Sequence, residues 1–233
     1  MSALAYKQTH LNAAQSLNTL VLRDALAALS LYQKKIHILD LGTLYPASLD
    51  FFNQYHCKLT VADAVDTLCA FTHKKISIAQ QEKQSQNNVK NNSTNINKSN
   101  KTGSVQQSTY QFIHTLFTNL VPDSQTFDLV LGWDSLNYMR SEDRREFINY
   151  LSQYTHSHSL LHTFITTSQY ICPSPAKFII KKSDHVDYFE HGEKVDHHPF
   201  TRYQMKKEFP GLSITKAILM RNGLQEIAFR FKQ

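Results

Sequence analysis

The chain has 233 residues, of which 41% are hydrophobic, and it carries a formal charge of +6. This length is long for one average domain and normal for a single α/β domain with an insertion. No apolar run approaches the ~20 residues of a membrane span, and no charged stretch followed by an apolar core opens the sequence. We therefore expect one cytosolic domain over residues 1–233, without a secretory signal.

The cysteines and histidines show none of the spacings that hold metal ions. There are three cysteines and no Cys-x-x-Cys pair, so neither a disulfide framework nor a zinc knuckle is indicated. Histidines and acids are dense between Asp184 and His198, but they lack the spacing of known zinc motifs. We expect a polar surface loop there and no metal site.

An amphipathic helix is predicted over residues 9–33, because small and apolar residues recur at helical spacing from Leu11 to Ala28. Such a helix either packs against the sheet or covers a ligand crevice, and packing is the more common role.

Two apolar runs that each lead to an acid follow this helix. They are Ile36–Gly42 and Leu59–Asp63, and Pro46 between them suits the first position of a helix. This order predicts strand, helix, strand. Ligands of open α/β sheets bind beyond the carboxyl ends of the strands, which is where Asp40, Gly42 and Asp63 stand.

Residues 80–108 are dominated by Asn, Gln, Ser and Lys, with almost nothing to bury. They carry half of the formal charge, since 82–108 hold four lysines and one glutamate. Such a segment cannot offset the entropy of ordering, so we predict a disordered insertion.

Strands and helices continue to alternate in the rest of the chain. Strands are predicted at 110–114, 127–133 and 160–166, and a helix is predicted to begin with Ser141 as its N-cap. The runs 213–220 and 225–231 flank an Asn-Gly turn, which is typical of a hairpin. Alternation of this kind predicts a doubly wound sheet.

Three segments resemble motifs of class I S-adenosylmethionine-dependent methyltransferases. They are Leu39-Asp40-Leu41-Gly42, Asp63 after the second strand, and Phe127-Asp128-Leu129-Val130-Leu131-Gly132-Trp133-Asp134. The resemblance implies a Rossmann-like, doubly wound, seven-stranded sheet that is mostly parallel and ends in an antiparallel β-hairpin. It also implies that 167–200 form a substrate cap.

Two positions depart from the family's glycine-rich loop. Leu44 and Pro46 stand where the family usually has its second and third glycines. A Cβ at Leu44 crowds a ligand that approaches the backbone, and Pro46 has no amide hydrogen to donate. Both changes favour weaker cofactor binding.

The resemblance also assigns site residues. S-adenosylmethionine is expected to contact Asp40, Gly42, Thr43, Leu44, Asp63, His114, Thr115 and Trp133. Asp134 is the candidate catalytic residue, which either positions a substrate amine or takes a proton from it. The alternatives from residue type alone are N-caps for Asp63 and Asp134, a core position for Trp133 and a surface position for His114.

Three functions follow from these observations. The first is methyl transfer from S-adenosylmethionine to a small-molecule or unidentified acceptor. The second is a catalytically silent, methyltransferase-like binding or scaffold protein, as the altered loop suggests. The third is an RNA-binding or RNA-modifying protein, which rests on the basic charge alone. The sequence does not predict an oligomeric state.

Overall fold

The computed structural model describes residues 14–64, Thr67 and residues 125–232. The helices and strands in these ranges are β1 (Gln15–Asn18), α1 (Leu20–Ser30), β2 (Ile36–Asp40), α2 (Pro46–Phe52), β3 (Cys57–Val61), β4 (Phe127–Trp133), a 3-10 helix (Ser135–Tyr138), α3 (Ser141–Ser152), β5 (Thr155–Thr166), β6 (Tyr170–Ile171), β7 (Lys177–Lys182), β8 (His185–Phe189), β9 (Val195–Asp196), α4 (Arg202–Glu208), β10 (Leu212–Leu219) and β11 (Leu224–Phe231).

A mixed sheet of six strands lies at the centre of the described residues, in the order β10-β11-β5-β4-β2-β3. The strands β3, β2, β4 and β5 pair in parallel, and Leu39 of β2 lies opposite both Thr60 of β3 and Val130 of β4. β11 pairs antiparallel with β5 and with β10. The α/β class is confirmed. The strand predicted at 110–114, the insertion at 80–108 and the positions of His114 and Thr115 lie outside the described residues.

Both faces of this sheet are covered, because successive side chains of a strand point to opposite sides. Ile38 and Leu129 belong to a core with α1 and α2, whereas Leu39 and Val130 belong to a second core with α3 and α4. Strands that are buried on both faces read as continuous apolar runs. This is why β2 and β4 could be located in the sequence.

A second, three-stranded antiparallel sheet, ordered β1-β8-β7, lies over the α2 side of the molecule. Leu17 of β1 pairs with Val186 of β8. Ile180 of β7 donates its backbone N–H to Ser48 Oγ in α2 over 3.0 Å. The expected substrate cap at 167–200 therefore contains β6, β7, β8 and β9.

The expectation of one helix over 9–33 is wrong for residues 15–18, which form β1, and α1 covers only Leu20–Ser30. The partner of β1 is β8, about 170 residues away in sequence, so local periodicity carries no sign of the pairing. Tertiary pairing overrides helix propensity here. Residues 9–13 lie outside the described ranges.

The predicted N-cap at Ser141 is also wrong by one residue. Arg140 takes the N-cap position with extended backbone, and Ser141 is the first residue of α3. The Arg140 guanidinium binds the Asp143 carboxylate in the first turn, with Nε 3.0 Å from Oδ2. This pairing stabilises the first turn without a hydroxyl cap. None of the helices in the described ranges is long and apolar enough to span a membrane.

Buried charged groups connect α1 to the sheet and α3 to α4. Glu226 of β11 is fully buried and accepts hydrogen bonds from the backbone N–H groups of Val21 and Leu22 at the start of α1. Arg144 of α3 forms a bidentate pair with Glu208 of α4, over distances of 2.7 and 3.0 Å. Each carboxylate satisfies donors that would otherwise be buried without a partner.

Candidate functional site

The sheet has a topological switch point between β2 and β4. From β2 the chain passes to β3 on one side, and after residues 65–124 it returns as β4 on the other side of β2. In open α/β sheets the crevice outside the carboxyl ends of two such strands is the usual ligand site. Asp40 ends β2 and Gly42 follows it, while Trp133 ends β4 and Asp134 follows it.

Asp40 is 2% exposed and is held in place by two donors. Its Oδ1 accepts from the Gly42 backbone N–H over 2.8 Å and from Trp133 Nε1 over 2.6 Å. Burial raises the pKa of the Asp40 carboxyl to about 6, although the two hydrogen bonds act to lower it. The carboxylate therefore joins the loop after β2 to the end of β4.

Trp133 fills the space beside Gly42. A Cβ at Gly42 would lie 2.6 Å from Trp133 Nε1, so only glycine fits there. The indole is 4% exposed and stacks on Phe178, with ring centroids 4.9 Å apart. Trp133 has φ 47°, a left-handed conformation that is rare for a bulky residue. Backbone strain of this kind is concentrated at functional sites.

Asp63, which is exposed, and Thr43, which is half-buried, form the rim of the same crevice. The backbone N–H of Ala62 donates to the Asp40 carbonyl over 2.8 Å, which sets the end of β3 against the end of β2. Asp63 follows with φ 39°, and Thr43 Oγ1 donates to Asp63 Oδ1 over 2.9 Å. The Asp63 side chain is exposed, so it can accept further hydrogen bonds from a ligand. We call the space bounded by Asp40, Gly42, Thr43, Asp63 and Trp133 the crevice.

A cavity of about 80 Å³ lies beyond Trp133, at the carboxyl ends of β4 and β5. Its walls include Asp134, Asn137, Tyr138, Phe178, Tyr188 and Glu190. Phe178 separates it from the crevice, since one face of that ring stacks on Trp133. We call this space the acidic cavity because two carboxylates line it.

Asp134 is 7% exposed and only half of its carboxylate is satisfied. Oδ2 accepts from the Ala176 backbone N–H over 2.9 Å, whereas Oδ1 is buried without a hydrogen-bond partner among the described residues. Burial raises the pKa of this carboxyl to about 7, and the charge of Glu190 acts in the same direction. A buried acceptor without a donor is costly to folding, so its presence here suggests a ligand.

The predicted site residues thus divide into two groups. Asp40, Gly42, Thr43, Leu44, Asp63 and Trp133 lie around the crevice, with Leu44 36% exposed, and Asp134 lies in the acidic cavity. α2 begins at Pro46 and has no side-chain cap, and it is only seven residues long. Of the other residues that line the cavity, Tyr170, Tyr188 and Glu190 belong to the substrate cap expected at 167–200, and Tyr138 was missed because it has no motif of its own.

The predicted cofactor, S-adenosylmethionine, fits the crevice better at Asp63 than at Gly42. The exposed carboxylate of Asp63 accepts one hydrogen bond from Thr43 and has the chemistry to accept others from ribose hydroxyls. Beside Gly42, where a glycine-rich loop lets a ligand approach the backbone, the Trp133 indole already occupies the space. No group of three potential metal ligands occurs within 14–64 and 125–232.

No protein-family model matches the chain, and no curated protein matches it. Among solved structures it is similar to an S-adenosylmethionine-dependent methyltransferase from Clostridium acetobutylicum, at TM-score 0.46 and 10% identity over 91% of each chain. It is also similar to 1,6-didemethyltoxoflavin-N1-methyltransferase from Burkholderia thailandensis, at TM-score 0.44 and 10% identity, covering 91% of this chain and 78% of that one. Magnesium protoporphyrin IX methyltransferase from Synechocystis gives TM-score 0.42 and 10% identity, covering 91% and 79%. These similarities are low, so the function proposed next rests on this chain's own residues.

Proposed function

We propose that the chain is an S-adenosylmethionine-dependent methyltransferase that acts on a small molecule. The observation that carries this proposal is Asp63, an exposed carboxylate beside Thr43 at a topological switch point. Asp63 accepts hydrogen bonds from the ribose hydroxyls of the cofactor, and its left-handed backbone directs the side chain there. Leu44 lies on the exposed rim of the same loop.

The acceptor occupies the acidic cavity. When bound, the cofactor supplies an electrophilic methyl group on a sulfonium, so the protein's main task is to position the acceptor. Asp134 is the group in the cavity that can bind a donor on the acceptor or take a proton from it, because its Oδ1 has no partner among the described residues. Its raised pKa, about 7, suits proton transfer near neutral pH.

Trp133 favours a second candidate, the catalytically silent binding protein. The indole lies against Gly42 and donates to Asp40, so the amino-acid end of the cofactor has to displace it to reach the loop backbone. If the indole keeps its place, the crevice binds no S-adenosylmethionine and the acidic cavity is the remaining ligand site.

Calorimetric titration with S-adenosylhomocysteine separates the two candidates. An enzyme is expected to bind it with micromolar affinity, and Asp63→Ala to weaken binding by ~1–3 kcal/mol through the lost hydrogen bonds. Asp50→Ala is the matched control, because Asp50 is an exposed aspartate of α2. Absence of binding at millimolar ligand would overturn the enzyme and leave the silent protein. Unchanged affinity in Asp63→Ala would remove Asp63 from the site.

A further inference from the structure

The acidic cavity has the size and shelter of a site for a small molecule. Its volume is about 80 Å³, and a single water needs roughly 10–15 Å³, so it has room for about six non-hydrogen atoms. Thr166 at the end of β5 and Asn222 in the turn before β11 also line it. It is therefore held by the central sheet as well as by the segment that covers the sheet.

The charge in this cavity is negative and incompletely balanced. Asp134 and Glu190 both line it. Lys194 lies 3.5 Å from Glu190, but this lysine side chain is 54% exposed, and Asp134 has no ion-pair partner among the described residues. Lys194, which also lines the cavity, thus pairs with Glu190 and not with Asp134. A buried carboxylate without an ion-pair partner favours a cationic ligand, because the attraction between charges is stronger away from water.

Two tyrosine hydroxyls of the cavity already have acceptors. Tyr138 donates its hydroxyl hydrogen to the Ser174 carbonyl over 2.8 Å, and Tyr188 donates to Gln15 Oε1 over 2.6 Å. Each phenol has one hydrogen, and Tyr138 is also close enough to Asp134 to lower the pKa of that carboxyl. Oδ1 of Asp134 nevertheless has no hydrogen-bond partner among the described residues, so a donor on a ligand would satisfy it.

Apolar and aromatic walls accompany the carboxylates. Phe178, Leu224 and the tyrosine rings line the same space. Aromatic faces attract a desolvated cation, and the apolar walls suit a short hydrocarbon group. The cavity therefore has a carboxylate on one side and aromatic or apolar side chains on the others, which suits a small organic ammonium.

We propose that the acidic cavity binds a small primary or secondary amine in its ammonium form. The ammonium N–H donates to Asp134 Oδ1, and the hydrocarbon part lies against Phe178 and Leu224. The claim that this amine is the methyl acceptor rests on the function proposed above, whereas the claim that the cavity binds an amine does not. An acceptor amine must lose a proton before it reacts. Asp134 takes that proton, and the N–H electron pair stays on nitrogen.

The test uses the full chain without cofactor and two probes of equal size, cyclopentylamine and cyclopentanol. Their binding is measured by NMR chemical-shift titration near pH 8. We expect the amine to bind at least tenfold more tightly than the alcohol, and Asp134→Asn to remove most of that preference. Asp196→Asn is the matched control, since Asp196 is an exposed aspartate of β9 outside the cavity. Equal affinity for both probes, or an amine affinity unchanged by Asp134→Asn, would overturn the proposal.

A second variant and a second ligand keep the outcomes separate. Glu190→Gln removes the other carboxylate and should weaken amine binding about two- to fivefold, which covers the case that Asp134→Asn does not fold. Amine binding without any S-adenosylhomocysteine binding would sustain this site and overturn the methyltransferase. Binding of S-adenosylhomocysteine without amine binding would sustain the methyltransferase and overturn the amine site.

Discussion

Trp133 Nε1 donates a hydrogen bond to Asp40 Oδ1 over 2.6 Å, and this bond joins the ends of β4 and β2 across the switch point. It satisfies a carboxylate that is almost completely buried. It also holds the indole between the crevice on one side and the wall of the acidic cavity on the other. The same bond therefore bears on stability and on cofactor access.

Trp133→Phe should destabilise the protein more near pH 8 than near pH 5. The variant removes one of the two donors to Asp40, so the pKa of that carboxyl should rise further above about 6. Near pH 5 Asp40 is protonated in both folded proteins, so the further rise in its pKa costs no stability there, and the cost appears as pH rises above about 6. We expect an additional loss of ~1–2 kcal/mol near pH 8, measured by denaturation followed by circular dichroism. Equal losses at both pH values would indicate that only ring packing had changed.

Asp134→Asn should stabilise the protein near pH 8. The pKa of Asp134 is about 7 in the folded protein and close to 3.8 in the unfolded chain. Its contribution to stability is therefore present below about pH 4 and lost as pH rises toward 7. An asparagine oxygen can still accept from the Ala176 N–H, and the buried charge is gone. We expect a gain of roughly 2–4 kcal/mol near pH 8 and a smaller one near pH 5.

The same variant should bind cyclopentylamine poorly, so stability and ligand binding would change in opposite directions. A trade-off of this kind is typical of functional residues. If Asp134→Asn instead lowered the stability near pH 8, the Asp134 carboxylate would have to make stabilising contacts that an amide cannot replace.

Glu226→Ala should be among the most destabilising single changes in this chain. Three groups lose their acceptor, namely the backbone N–H groups of Val21 and Leu22 and the His162 ring, whose Nε2 lies 2.9 Å from Glu226 Oε1. Removing one partner from a buried charged network costs ~3–5 kcal/mol. Urea denaturation measures the loss, and Glu193→Ala on an exposed glutamate is the control. A loss below about 1 kcal/mol would show that water replaces the carboxylate.

Arg144→Lys should cost about 2–4 kcal/mol although the charge is kept. Arg144 binds Glu208 through two nitrogens, donates to the Met139 carbonyl and lies 4.1 Å above the Phe200 ring. An ammonium cannot reproduce the planar fork. The neighbouring Arg145→Lys, at an exposed position, should be nearly neutral in the same melting experiment. Similar effects of the two changes would contradict a specific role for the Arg144 fork.

The sequence predicted those elements whose signals are local. β4 was expected at 127–133 and is observed there, because a strand buried on both faces is a continuous apolar run. Pro46 was expected at the first position of a helix and begins α2. β1 was not predicted, because only its pairing with β8 makes it a strand.

The residues of the candidate site also divide into those with a local sequence signal and those without one. Asp63 and Asp134 are predictable because each follows a strand; in the structure Asp63 is exposed and Asp134 lines the acidic cavity. Glu190 and Tyr188 reach the acidic cavity only because the β7 and β8 hairpin folds over the sheet. No spacing in the sequence encodes that approach.

Trp133 is the only tryptophan of the chain. With excitation at wavelengths longer than tyrosine absorbs, the protein's fluorescence therefore originates at the point where the crevice meets the wall of the acidic cavity. Ionisation of Asp40 takes place within hydrogen-bond distance of the emitting ring, and a ligand that displaces the indole would change its solvation. The folded chain thus contains a native optical reporter of its own candidate site.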